Sequence, residues 1–340
     1  MLNHGRQLIR FGSRVLLASA LPSKIQRMSS KRLIKIALSI GMLALVLAVS
    51  DISELKATLA HVSAQTALLV ILGYFAGQII SSYKWWLITR GAFSVPWLTA
   101  FRAYTLGMYA NCFGLGVVGG DVVRAMAIAG KGPFKAQAVA SVVADRAHGL
   151  AVLVLMGVIF ALNDGRDTIS PNFIYAIMCL PLAVVCAWLL GPKVILKVVP
   201  DSHHLREKIE NTLNAFPKDP ITVLAISVLS VIFHLSQLAL HYLILQSMGV
   251  NVPWIIVLSS IPFVNVLSSL PISWNGLGVR ENAFVFFLLP LVTRAQSVAL
   301  GAVWLLAVTV SGALGGLVAL SLDWFTKRSA QQTAPHDLVS

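Results

Sequence analysis

Charge is what this sequence has least of. Only 11% of its 340 residues are Asp, Glu, Lys or Arg, against roughly 25% in an ordinary soluble domain. With 57% hydrophobic residues and a mean hydropathy of +0.81, a soluble chain could neither bury its apolar surface nor cover its exterior with charge. Disorder and collagen are excluded on the same ground. Cysteine is scarce: Cys112, Cys179 and Cys186 lie inside apolar runs, which excludes a disulfide scaffold and points to buried thiols. Acid is scarcer than base, 13 Asp+Glu against 26 Lys+Arg, a net charge of +13. There is no phosphate-binding loop of the Walker type, no Gly-x-Ser-x-Gly elbow and no His-Glu-x-x-His helix, which removes ATP use, serine hydrolysis and zinc proteolysis. What is present is runs of about 20 apolar residues, the signature of a polytopic membrane protein. Its basic excess then fits cytoplasmic loops and anionic headgroups rather than nucleic acid.

Residues 1–32 hold seven basic residues and no acid. A signal peptide and an Arg-rich transit peptide compete with a basic cytoplasmic tail; the tail is the expectation, with Met28 an alternative start. Spans are expected at Leu33–Ser50, Ala67–Ile88, Ala136–Leu162, Asn172–Leu190, Ile221–Met248 and Gln296–Trp324, with Asp51–Ala64 at the interface. Pro96–Gly130 and Pro253–Leu291 are apolar but interrupted. Lys84, Arg90 and Arg102 precede the first interruption, and Arg124, Lys131 and Lys135 follow it. By the positive-inside rule that stretch starts and finishes on the cytoplasmic face. Lys327 and Arg328 are inside only if 253–291 also returns to its own side. The expected fold class is therefore all-α polytopic membrane protein, with about six full spans plus two re-entrant, broken-helix hairpins entered from opposite faces. Halves of 33–162 and 171–325 would form an inverted-topology repeat between the tail 1–32 and a polar tail 326–340. Both termini would be inside, in a bacterial cytoplasmic (inner) membrane.

The two interrupted stretches share a core. Gly114-Leu115-Gly116-Val117 is followed by Gly119-Gly120-Asp121 and Arg124; Gly276-Leu277-Gly278-Val279 is followed by Arg280-Glu281. Broken segments at corresponding positions are the best sequence pointer to a transporter's binding site. Glycine permits the break, half-helix N–H groups attract an anion, and arginine grips a phosphate through a planar fork. The plain alternative is surface turns, with the arginines as topology anchors.

Three patches resemble the lysylphosphatidylglycerol synthase transmembrane region family, also called flippase-like proteins. They are Gly119-Gly120-Asp121 with Arg124, then Val142-Val143-Ala144-Asp145-Arg146, then Leu270-Pro271-Ile272-Ser273 leading to Gly276–Glu281. The likeness covers about residues 33–325. Asp145 stands where the family commonly has Glu, no proline precedes Gly119-Gly120, and Trp274-Asn275 replaces a Pro/Gly pair. The resemblance implies lipid handling; in fused members this region moves aminoacylated phospholipid for a soluble transferase domain. The chain ends at Ser340, so that domain is not expected here.

The expected site follows. Arg280, Arg124 and Arg146, with Gly276, Gly278, Gly119 and Gly120, would bind a lipid phosphate. Glu281, Asp121 and Asp145 would be their charge partners in the empty state. Ser227, Ser230, His234, Gln237 and His241 form one stripe on the span 221–248. With His148 they would make either a polar groove for a headgroup or interhelical contacts. No cofactor, no metal site and no catalytic residue is expected. The partner would be an anionic phospholipid or a polyprenyl-phosphate lipid, with a separate lipid-modifying enzyme as a further candidate. The leading function is a lipid translocase. The alternatives are an integral membrane transferase using Asp145, His148 or Glu281 as general base, and a non-transporting partner subunit.

Overall fold

The computed structural model describes residues 51–90, 94–112, 116–130, 134–163, 216–270, 273, 275–289 and 291–332, with scattered positions among 40–48 and 179–210. The expected spans Leu33–Ser50 and Asn172–Leu190 and both tails lie wholly or largely outside the described residues. Among those described there are nine helices and no strand. They are α1 (Ile52–His61), α2 (Ala64–Thr89), α3 (Trp97–Ala110), α4 (Gly116–Ala129), α5 (Lys135–Ala161), α6 (Pro220–Ser247), α7 (Trp254–Ser269), α8 (Val279–Leu288) and α9 (Arg294–Gln332). Helices α2, α5, α6 and most of α9 are long and apolar enough to cross a membrane. Leu68, Leu69 and Leu72 on α2 and Leu317 and Leu320 on α9 are more than half or about half exposed in the bare chain. Such a surface is stable in lipid, not in water.

Local sequence sets the helix starts. Asp51 accepts from the N–H groups of Ser53 and Glu54, Ser63 from Thr66, and Asp219 from Thr222, each filling a donor that a helix start leaves open. Helices α3 and α7 open differently but alike: Val95-Pro96-Trp97 and Val252-Pro253-Trp254 place an extended proline just before the first turn. A second echo, Lys135-Ala136-Gln137 against Arg294-Ala295-Gln296, begins α5 and α9.

Each interrupted stretch folds as a helical hairpin, α3–α4 and α7–α8. The feet of α3–α4 stand at the Arg90 end of α2. Trp86 Nε1 donates to the Val95 carbonyl at 2.9 Å, and Trp85, Ala100, Ala103, Ala125, Ile128, Ala129 and Ala138 share one core cluster. The feet of α7–α8 stand at the opposite end, where Thr293 Oγ1 donates to Glu54 Oε1 at 2.7 Å and Leu55 packs on the cluster holding Val252 and Val292. The tips meet between them: Asn275 Nδ2 donates to the Asn111 carbonyl at 3.2 Å.

The packing pattern repeats when α2, α3, α4 and α5 are exchanged for α6, α7, α8 and α9. Helix α3 packs on α9 as α7 packs on α5, α2 on α9 as α6 on α5, and α4 on α5 as α8 on α9. Helices α2 and α6 are mutual partners and run antiparallel, with Gly73 against Leu240 and Gly77 against Phe233 and Gln237.

Candidate functional site

Five charged side chains join α2, α4 and α5 into one network. Asp145 of α5 faces Lys84 Nζ at 2.8 Å and Arg124 Nη1 at 3.0 Å. Arg124 also donates through Nε to Asp121 at 3.1 Å, and Asp121 receives Arg146 at 2.9 and 3.0 Å. Lys84, Arg124 and Asp145 are each no more than 5% exposed, whereas the Arg146 side chain is half exposed. The Arg124 guanidinium lies 4.9 Å from the Trp85 ring and 5.2 Å from that of Tyr104, a cation–π setting that suits a delocalised cation away from water. Three cations against two carboxylates leave the network one positive charge in excess.

Gly119 and Gly120 do not open a half-helix, contrary to expectation; they lie within α4. Their role is approach. A Cβ on Gly120 would run into the Gly107 carbonyl and the Asn111 side chain, so glycine lets α3 and α4 touch.

The second break is built from left-handed backbone at Asn275 (φ 51°), Gly276 (φ 77°) and Gly278 (φ 80°). Glycine adopts this readily; for Asn it is the least costly of the ordinary side chains. The turn feeds α8, and Glu281 Oε2 accepts the Gly278 N–H at 2.6 Å while Gly276 O accepts the Arg280 N–H at 2.8 Å. The Glu281 carboxylate therefore occupies the place an anion would take at this helix start, and it packs against Gly301 of α9. It caps the helix instead of pairing with Arg280, which corrects its expected role. Arg280 is 6% exposed; Nη2 donates to the Asn275 carbonyl at 2.6 Å, and Nη1 is buried without a hydrogen-bond partner. Its charge thus sits beside the contact between the two tips.

Comparison with family models shows residues 32–316 matching the one described as Lysylphosphatidylglycerol synthase TM region. The chain belongs to this family. Comparison with curated proteins and with solved structures returns no match. In this member of the lysylphosphatidylglycerol synthase TM family, the family assignment and the apolar helices together make the chain an integral membrane protein connected with lipid metabolism or transport.

The stripe on α6 is not an open groove in this family member. Ser230, Gln237 and His241 are buried. Ser227 gives its proton to the Val223 carbonyl, so it accepts from His148 Nε2 at 3.0 Å, leaving His148 Nδ1 to accept from Ser230 at 3.3 Å. His234 Nε2 donates to the Gly149 carbonyl at 2.9 Å, and Gln237 packs where Gly77 lacks a side chain. His241 Nδ1 donates to the Gln237 carbonyl and its ring stacks on Trp304 at 3.7 Å. The stripe joins α6 to α5, α2 and α9. No cluster of metal-ligating side chains occurs among the described residues. The residue that sequence reasoning missed is Lys84. Beside Trp85-Trp86 it reads as an interfacial anchor, yet it points inward, and Gly149 provides the room for its ammonium.

Proposed function

We propose that this protein is a lipid translocase that carries a phosphate-bearing or otherwise anionic lipid across the bacterial cytoplasmic membrane, both termini inside. The observation that carries the reading is Arg280: a buried cation with an unfilled donor, placed where two broken hairpins with feet at opposite ends meet tip to tip. Broken helices at mid-membrane need protein or a wet cavity around them, and transporters place their sites there. The interchange of α2–α5 with α6–α9, antiparallel at α2 and α6, supports two hairpins that re-enter from opposite faces as an inverted repeat. In this reading the headgroup phosphate pairs with Arg280 while the tails stay in the bilayer. Arg146, half exposed at the edge of a network with excess positive charge, meets the headgroup earlier on its path.

The transferase alternative needs a side chain ready to take a proton. Asp145 is held by two cations, Glu281 caps α8, and both His148 nitrogens face serine hydroxyls. These engagements favour movement over chemistry. The test is purified protein in liposomes with a headgroup-accessibility assay, with the lipid's mass measured before and after. Translocation of a mass-unchanged anionic lipid is expected, and Arg280→Ala should abolish it while Arg280→Lys, which keeps charge but loses the fork, retains part. A changed lipid mass, or Arg280→Ala inserting normally and moving lipid at the wild-type rate, overturns the proposal.

A further inference from the structure

The two halves of the molecule share a framework but not its chemistry. The buried centre of the ionic network joins one residue from each of α2, α4 and α5: Lys84, Arg124 and Asp145. The interchange of halves carries those helices onto α6, α8 and α9, and there three residues again meet: His241, Phe284 and Trp304. Their rings lie 3.7 Å (His241–Trp304) and 5.9 Å (His241–Phe284) apart. On the helices that follow the two hairpins, α5 and α9, the register agrees. Asp145 follows Lys135, the start of α5, by ten residues, and Trp304 follows Arg294, the start of α9, by ten. Both triads are buried. Each ties the returning helix of one hairpin to two long helices, on the footward side of the tip: Arg124 lies between Gly116 and Ala129, and Phe284 between Val279 and Leu288.

We propose that these triads are two unlike gates on either side of the tip contact, an ionic gate toward the Arg90 end and an aromatic gate toward the Glu54 end. This rests on the translocase reading. Opening the first means separating Arg124 and Lys84 from Asp145, which a lipid phosphate can assist by offering the cations a replacement partner. Opening the second means unstacking His241 from Trp304, an apolar event that no anion assists. Anionic lipid would accordingly promote opening at the Arg90 end and be indifferent at the other, giving the carrier a sided response to its cargo.

Cys112, beside the tip contact with its Sγ 3.5 Å from the Val308 carbonyl, is a native reporter. With Cys179 and Cys186 replaced by Ser, the full chain in proteoliposomes is labelled by a membrane-impermeant maleimide from each face separately. Asp145→Asn should raise Cys112 labelling at least about tenfold from the Arg90 face only, because it removes the charge that holds both Lys84 and Arg124. Asp145→Glu should label as wild type. Trp304→Ala should raise it from the Glu54 face only. Lys84→Met and Phe284→Ala serve as second variants should either first variant fail to insert. Vesicles containing phosphatidylglycerol instead of phosphatidylcholine alone should raise wild-type labelling from the Arg90 face. Labelling that rises on the same face for both gates, or that stays at the wild-type level in inserted variants, overturns the gates even if the wild type moves lipid. Sided labelling in a protein that moves no lipid would sustain the gates and overturn the translocase reading.

Discussion

Removing Asp145 should destabilise the fold more than removing Lys84, and the two losses should not add. Asp145 is 5% exposed and bonds two cations, Lys84 at 2.8 Å and Arg124 at 3.0 Å. Asp145→Ala leaves Lys84 buried with its carboxylate gone and Arg124 with Asp121 alone. Breaking one side of a buried pair costs about 3–5 kcal/mol, because a desolvated charge is left uncompensated. In Lys84→Met the aliphatic stem is replaced by a chain of similar shape and Asp145 keeps Arg124. That variant should lose only about 1.5–3 kcal/mol, the scale of one hydrogen bond to a charged group. In the double variant the stranded ammonium is absent, so its loss should fall short of the sum by roughly 2 kcal/mol, within the range for residues of one network. Equilibrium unfolding in mixed micelles, read by tryptophan fluorescence since Trp85 lies against Arg124, measures all four corners of the cycle. Additive single losses, or an Asp145→Ala protein as stable as wild type, would refute the coupling and mean that the cations are hydrated.

Three further outcomes follow from particular contacts. Glu281→Gln keeps the shape of the α8 cap but removes its charge from the Gly278 N–H, so thermal unfolding in detergent should show a loss of about 1 kcal/mol. Gly120→Val puts a branched side chain against the Gly107 carbonyl and Asn111; backbone cannot yield as a side chain can, so the loss should reach ~3 kcal/mol, the upper range for overpacking. Asp219 is held below the usual aspartate range by its hydrogen bonds from the Thr222 backbone and hydroxyl. Its cap is therefore complete above the unfolded-state titration and is lost as pH falls below about 4. Hydrogen-exchange protection at the start of α6, relative to the intrinsic rate at each pH, should fall over that interval in the wild type and stay constant in Asp219→Asn.

The sequence announced the membrane class, the hairpin breaks and the Asp121–Arg124 neighbourhood, because those depend on composition, on glycine and on helical spacing. Side-chain direction was less legible. Lys84 and Glu281 each have a bland local explanation, and only the rotation of α2 and the turn at Asn275–Gly278 decide where they point. The α6 stripe was visible as a face, but a face does not reveal whether lipid headgroup or α5 covers it. The likeness between the two stretches reaches beyond the Gly-Leu-Gly-Val cores. Val-Pro-Trp opens both α3 and α7, and Lys/Arg-Ala-Gln opens both α5 and α9; these echoes become conspicuous once the helices are seen packed.

The halves are interwoven, and this bears on how the protein is made. Helix α3 is covered by α9 and α7 by α5, so neither half closes over its own hairpin. Arg102 at the foot of α3 bonds Asp323 near the end of α9, 221 residues later. A nascent chain that has delivered α3 and α4 therefore holds a hairpin whose cover does not yet exist. Termination before α9 would leave α3 without the helix it packs on and Arg102 without Asp323.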